Sequence, residues 1–230
     1  MKVLSIFGYG SLMTYSSVLR TMPNAVHHRG GTLQGYSRTF SLVSISGVRS
    51  GTADFDTLEV AALGVRPCSS PDAVVRGVLF DIPEDEFAAF VEREHRYRVV
   101  KLPVIDADAY AIDSDGIVEA WVVVEQTDEQ YRGTMSSDEY ESRVGRYYSG
   151  QLWGRPDIKP MREYLSNCII AADAVDTELG QHDNAHLTNF LDECLLANGA
   201  TTIREYVFAH QERFGGDVMA LVMKTAKCNL

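Results

Sequence analysis

Leu4-Ser5-Ile6-Phe7-Gly8-Tyr9-Gly10-Ser11-Leu12-Met13 opens the chain on a short apolar strand that runs straight into two glycines. A strand this early places the segment in the core. Gly8 and Gly10 then let the backbone turn sharply, since glycine tolerates positive φ and close approach by another group. Successive N–H groups in such a turn form a concave donor site for an anion. The hydroxyls of Tyr9 and Ser11 flank those donors. A tight turn at the end of an edge strand is the other reading of the same residues, because glycine clusters are common punctuation. Three chemistries are excluded directly. A dinucleotide fingerprint needs a third glycine, which falls at Met13, and a phosphate loop needs Gly-Lys-Ser/Thr where Ser11-Leu12-Met13 stands. A hydrolase elbow needs glycine two residues either side of the serine, and position 13 is again Met. The turn is left as a grip for a small carboxylate- or amide-bearing ligand, with Ser11 a poor nucleophile.

The chain has 230 residues, 45% of them hydrophobic, enough for one substantial core or a core with a smaller annex. A net charge of −11 argues against nucleic acid and against an anionic membrane surface as partners. Cysteines at 68, 168, 194 and 228 show no C-x-x-C spacing, so neither a zinc knuckle nor a redox dithiol is expected. Free thiols without a secretion signal fit a reducing, cytoplasmic setting. The longest apolar runs are far below membrane-spanning length. Cys228 is third from the end, which rules out a prenylation box.

The first half reads as strands at 2–7, 31–43, 74–81, 98–105 and 116–125, the third with Gly77 at its centre, the mark of a bulge or a close approach. Many short strands with one inserted helix predict an α+β protein with a closed or nearly closed mixed sheet. The second half reads as helices. Ser136 with Glu139 and Thr202 with Glu205 form capping boxes, Pro160 opens a helix over 161–172, 187–197 repeats the pattern, and Gly215-Gly216 stop the last one. A soft boundary at 126–134 divides a barrel, 1–125, from a helical extension, 126–230, packed on it. His182 and His186, with Asp183, would reach a metal only if helical, and 180–184 reads as a loop; no metal is expected. His27-His28 reads as an exposed loop. Tyr140, Tyr147, Tyr148 and Tyr164 sit at helical spacings, which favours the core over ligand contact.

Residues 83–94 read as a helix with Pro83 at its start and acids in its first turn. Phe87, Phe90 and Val91 set its apolar face, and Glu94, seven residues after Phe87, falls on that face. A carboxylate there is costly unless paired, hydrogen-bonded or neutral. The helix ending early, or an ion pair with Arg38, Arg96 or Arg98, would make it structural. The other reading is a general base in a partly desolvated pocket with its pKa raised.

Taken together, Phe7-Gly8-Tyr9-Gly10-Ser11-Leu12, Gly35-Tyr36-x-Arg38-x-Phe40, and Arg93-Glu94 followed by Tyr97-Arg98 resemble the gamma-glutamylcyclotransferase superfamily, closest to its ChaC-type, glutathione-degrading branch. The likeness covers about residues 1–125, and the first motif is the most specific. It implies a small mixed β-barrel with flanking helices and a cofactor-free reaction. In that reaction the α-amine of a γ-glutamyl group attacks its own γ-carbonyl, closing 5-oxoproline and expelling an amine or peptide. The resemblance makes Glu94 the catalytic base and gives Ile6, Phe7, Gly8, Tyr9, Gly10 and Ser11, with Arg38 and Tyr97, to the substrate. Glutathione, a γ-glutamyl amino acid and a γ-glutamyl amine are the candidate substrates. A non-catalytic module binding an anionic metabolite or peptide end is the rival. One departure stands out: His95-Arg96 replace two glycines usual in that branch, adding two cationic or near-cationic groups beside the base.

Overall fold

The structure is a computed structural model that describes residues 2–70, 72–107, 116–180 and 183–226. Its first strand, β1 (Val3–Gly8), is the predicted one. After it come β2 (Val26–Gln34), β3 (Tyr36–Val43), β4 (Glu59–Pro67), β5 (Val74–Pro83), β6 (Arg98–Asp106) and β7 (Ile117–Val124). Two-residue strands β8 (Lys159–Pro160) and β9 (Leu195–Leu196) complete the set. Strands β1-β5-β2-β6-β7 close into a barrel, β1 lying antiparallel to β5 and parallel to β7. A second sheet runs β8-β4-β3-β9. The expected α+β barrel is therefore present, with a four-stranded sheet beside it.

Three strand expectations change. The single strand 31–43 is two, because Gly35 at φ 72° breaks it and sends β3 into the second sheet. His27 and His28 are not in a loop: they lie in β2, where His27 Nδ1 faces Asp81 at 3.0 Å and His28 Nε2 faces the Met13 carbonyl at 3.0 Å. β4 was not anticipated. Its run Glu59-Val60-Ala61-Ala62-Leu63 lacks the polar–apolar alternation of a half-exposed strand, and most of it is buried.

The short helices α1 (Tyr15–Leu19) and α2 (Ile45–Ser50) sit between strands. The helix expected over 83–94 is a 3-10 turn, Glu84–Glu86, followed by α3 (Phe87–Arg93). Phe90 is fully buried and Phe87 packs on Trp121 at 4.9 Å between ring centres, but Val91 is 37% exposed. The inward stripe is thus Phe87, Phe90 and Glu94, without Val91.

The second half holds α4 (Asp128–Arg132), α5 (Ser137–Tyr140), a π-helical turn at Glu141–Gly145, α6 (Arg162–Glu178), α7 (Ala185–Glu193), α8 (Ile203–Ala209) and α9 (Gly216–Ala226). The Thr202–Glu205 capping box forms. A second box, Thr127–Gln130, starts α4 inside the stretch read as a boundary. Residues 194–197, read as helix, instead carry β9, where Leu195 and Leu196 pair with Thr39 and Phe40. The second half therefore supplies both outer strands of the second sheet.

It is also pinned to the barrel by a buried pair. His186 Nδ1 meets Asp176 Oδ1 at 2.9 Å, and its Nε2 meets the Gly77 carbonyl at 3.1 Å. Both ring nitrogens face acceptors, so neither is available to a metal in this arrangement. His182 lies outside the described residues. At Gly77 β5 leaves no room for a side chain against the first strand: a Cβ there would collide with the Gly8 carbonyl oxygen. One buried apolar cluster runs from Ile6 and Phe7 through Phe80 and Val122 to Leu165, Phe190 and Val222. Burying each such side chain stabilises the fold by about 1.5–3 kcal/mol.

Candidate active site

β1 delivers its glycines to the rim of the barrel, and α3 ends beside them. Phe7, Gly8, Tyr9, Gly10, Ser11 and Leu12 line one wall of a small cavity, and Glu94, Tyr97, Leu63, Val123 and Tyr164 close it. The carboxylate and the glycine bend therefore share one space. Its volume is about 30 Å³, room for a water or two. A second cavity of about 200 Å³ adjoins it and shares Ser11, Glu94, Tyr97 and Tyr164. Ser44, Ser46, Arg93, Arg96, Leu42, Ala62 and Met161 complete that outer space.

The glycines work differently from expectation. Neither Gly8 nor Gly10 has positive φ. Their role is close approach: a Cβ on Gly8 would lie 2.8 Å from the Leu12 carbonyl oxygen, and one on Gly10 would press on Leu63 at 3.2 Å and the Tyr164 hydroxyl at 3.3 Å. A single 3-10 turn, Ser11–Met13, follows at once, with Met13 N–H donating to the Gly10 carbonyl at 2.9 Å. The first N–H groups of such a turn have no partner inside it, which leaves donors at the cavity wall.

Glu94 caps the C-terminal end of α3, its N–H donating to Phe90 O at 3.1 Å, and only 13% of its side chain is exposed. Its ion-pair partner is the neighbouring Arg93, whose Nε donates to Oε1 at 3.0 Å, and not Arg38, Arg96 or Arg98. Burial pushes the carboxyl pKa up, and the charges of Arg93 and Arg96 with the Arg93 hydrogen bond recover only part of the shift. The negative end of the helix dipole acts in the same direction as burial. Arg93 is fully engaged elsewhere as well: Nη1 donates to Ser17 O at 3.1 Å and Thr21 Oγ1 at 3.0 Å, and Nη2 to Ser17 Oγ at 3.3 Å.

The three cavity tyrosines are neutral walls. Burial raises the pKa of Tyr9, Tyr97 and Tyr164. Tyr97 donates to Leu63 O at 2.6 Å and Tyr9 to Val123 O at 2.8 Å, so their protons are committed to the backbone. Among the described residues no histidine or carboxylate bonds Ser11, which leaves its hydroxyl without an activating base.

Ile6 and Arg38 line neither cavity. Ile6 is wholly buried in β1. Arg38 is 1% exposed and backs the bend from behind, with Nη1 donating to Tyr9 O at 3.3 Å, Nη2 bonded to Asn189 Oδ1 and the guanidinium 4.9 Å from the Phe190 ring centre. Burial lowers its pKa to about 10, still fully charged at neutral pH. Asn189 in turn accepts from Arg76 N–H at 2.9 Å and donates to Val74 O at 3.0 Å, so Arg38 ties the bend to β5 and α7. His95 is not a cation at the site. It bonds the Tyr131 hydroxyl at 2.8 Å, and burial, helped by Arg96 and Arg143, brings its pKa down to about 4.

Leu12, Leu63, Val123 and Tyr164 are lining residues the sequence did not single out. Leu63 lies on β4, which shows no strand alternation, and the helical spacing of Tyr164 favours the core. No local signal separates a tyrosine that fills a core from one that walls a cavity.

No family model matches the chain, and no curated protein matches it. Solved structures do. A gamma-glutamyl cyclotransferase aligns over 97% of this chain and 99% of its own with a TM-score of 0.50 at 10% identity. The fold is that of a gamma-glutamyl cyclotransferase. A yeast gamma-glutamyl cyclotransferase specific to glutathione aligns over 89% of this chain and 99% of its own (TM-score 0.47, 16% identity). An uncharacterized human protein aligns over 80% and 87% (TM-score 0.49, 13% identity). No helix among the described residues is long and apolar enough to cross a membrane.

Proposed function

We propose that this protein is a gamma-glutamyl cyclotransferase that releases 5-oxoproline from a γ-glutamyl substrate, with Glu94 as general base. The observation that carries the proposal is the shared cavity: a buried carboxylate with a raised pKa faces the glycine bend at the end of β1. In the proposed reaction the scissile amide lies beside Glu94. The bend Phe7–Ser11 holds the glutamyl part, its N–H groups directed at the developing oxyanion or the substrate carboxylate. Glu94 takes a proton from the α-ammonium. The freed amine nitrogen attacks the γ-carbonyl carbon, the new C–N bond closes the five-membered ring, and the amide C–N bond breaks. Glu94 gives that proton to the departing nitrogen as the bond breaks, then takes the second proton from the ring nitrogen and passes it to the released amine, which leaves as an ammonium and returns Glu94 to its carboxylate. Substrate atoms and charge balance without water or redox partner. Both reacting groups belong to one molecule, so holding the bent conformer supplies several kcal/mol of the barrier reduction.

The test is incubation with γ-glutamyl amino acids, γ-glutamyl amines and glutathione, following 5-oxoproline. Glu94→Gln, which keeps shape and loses basicity, is expected to lower the rate by roughly 10²–10⁴-fold with the fold intact. Full turnover by that variant would reject the assignment.

A further inference from the structure

We infer that the outer cavity is a leaving-group subsite in which Arg96 pairs with a carboxylate, so that the preferred substrates are γ-glutamyl amino acids and short γ-glutamyl peptides, not γ-glutamyl amines. The inference rests on the cyclotransfer reading and adds the substrate class to it.

Glu94 lines both cavities. A scissile amide beside its carboxylate has the acyl side toward the bend and the amine side toward the outer cavity. What the outer cavity offers therefore selects the leaving group. It offers hydroxyls and a cation. Ser44 and Ser46 stand with their Oγ atoms 3.1 Å apart. Of the two arginines there, Arg93 is held by Glu94, Ser17 and Thr21. Arg96 is different. Its backbone carbonyl accepts from Gln126 at 2.8 Å, but among the described residues its guanidinium has no ion pair or hydrogen bond, and its Nε is buried without a partner. A buried guanidinium with an unsatisfied donor is costly, and a carboxylate that pairs with it gains a charge-assisted bond. Although the chain carries a net charge of −11, the charged residues lining the outer cavity, Arg93, Glu94 and Arg96, leave it one positive charge in excess.

The closing experiment compares kcat/KM for γ-glutamyl-alanine with that for γ-glutamyl-ethylamine, which lacks the leaving-group carboxylate. The wild type is expected to favour the former by tenfold or more. Arg96→Met is expected to collapse that ratio toward unity, and Arg96→Lys to keep most of it. The ratio is taken within one protein preparation, so partial misfolding cancels. A wild type that releases 5-oxoproline from both compounds with equal efficiency overturns the subsite. So does an Arg96→Met ratio that matches wild type, the outcome expected if Arg96 instead held the glutamyl carboxylate common to both compounds. Failure of every γ-glutamyl compound to yield 5-oxoproline overturns the cyclotransfer reading itself, and the subsite with it.

Discussion

Glu94 pulls catalysis and stability in opposite directions. Its pKa is raised because burial outweighs the help from Arg93 and Arg96. A folded-state pKa above the unfolded one means the folded chain keeps that proton to higher pH. Between the two values folding takes up a proton, and stability falls as pH rises; above both, the ionised group is held at a cost. A neutral isostere removes the cost. Glu94→Gln is therefore expected to lose most of its activity yet to be more stable at neutral pH, by roughly 0.5–2 kcal/mol, read as an upward shift in the denaturation midpoint. A less stable variant would show that the Arg93 ion pair outweighs burial. The same sign governs the rate. The base must be ionised, so kcat/KM is expected to fall as pH drops through a value above that of an ordinary carboxylate. Removing the Arg96 charge, which stabilises the ionised form, should move that limb further up. A limb at the ordinary carboxylate pKa would place the base elsewhere.

At the scale of elements, the site depends on how closely β5 lies against the end of β1. A Cβ at Gly77 would meet the Gly8 carbonyl oxygen at 2.3 Å and Phe7 Cζ at 2.9 Å, and the first is backbone, which has no rotamer to escape into. Gly77→Ala is expected to cost on the order of 1–3 kcal/mol and to lower cyclisation by displacing the bend. Calorimetry and 5-oxoproline release on the same sample check both. An unchanged activity at reduced stability would separate the bend's position from β5. The sequence marks Gly77 as a bulge or a close approach, β1 as the opening strand, and Glu94 as an acid on an inward stripe, because each signal is local: a glycine inside a strand, an apolar run, a seven-residue spacing. It did not reveal β4 or β9. Glu59-Val60-Ala61-Ala62-Leu63 has no alternation because residues on both faces of the strand are buried, and Leu195-Leu196 continues the spacing of α7 until pairing with Thr39 and Phe40 pulls it straight. Leu63 and Tyr164 escaped notice for the same reason: what makes each a cavity wall lies on another element.

Across the whole molecule the decisive question is whether residues 126–230 form an annex or a part of one body. The contacts favour one body. Strands β8 and β9 come from the second half and pair with β4 and β3 of the first. Asn189 holds Arg38 behind the bend, His186 holds Gly77, and Tyr164 closes the cavity. The chain's two tryptophans fall one in each half. Trp121 sits on β7 against Phe87, and Trp153 packs edge-on against Tyr97 at 5.4 Å. Single-tryptophan variants, Trp121→Phe and Trp153→Phe, thus report the two halves separately. One buried cluster spans both, so denaturant unfolding followed by either tryptophan is expected to coincide with the loss of helical circular dichroism, as one cooperative unit requires. If the Trp153 signal moved at lower denaturant than Trp121, the second half would be a separable cap. The cavity would then open and close with its docking, because Tyr164 would leave before the barrel does.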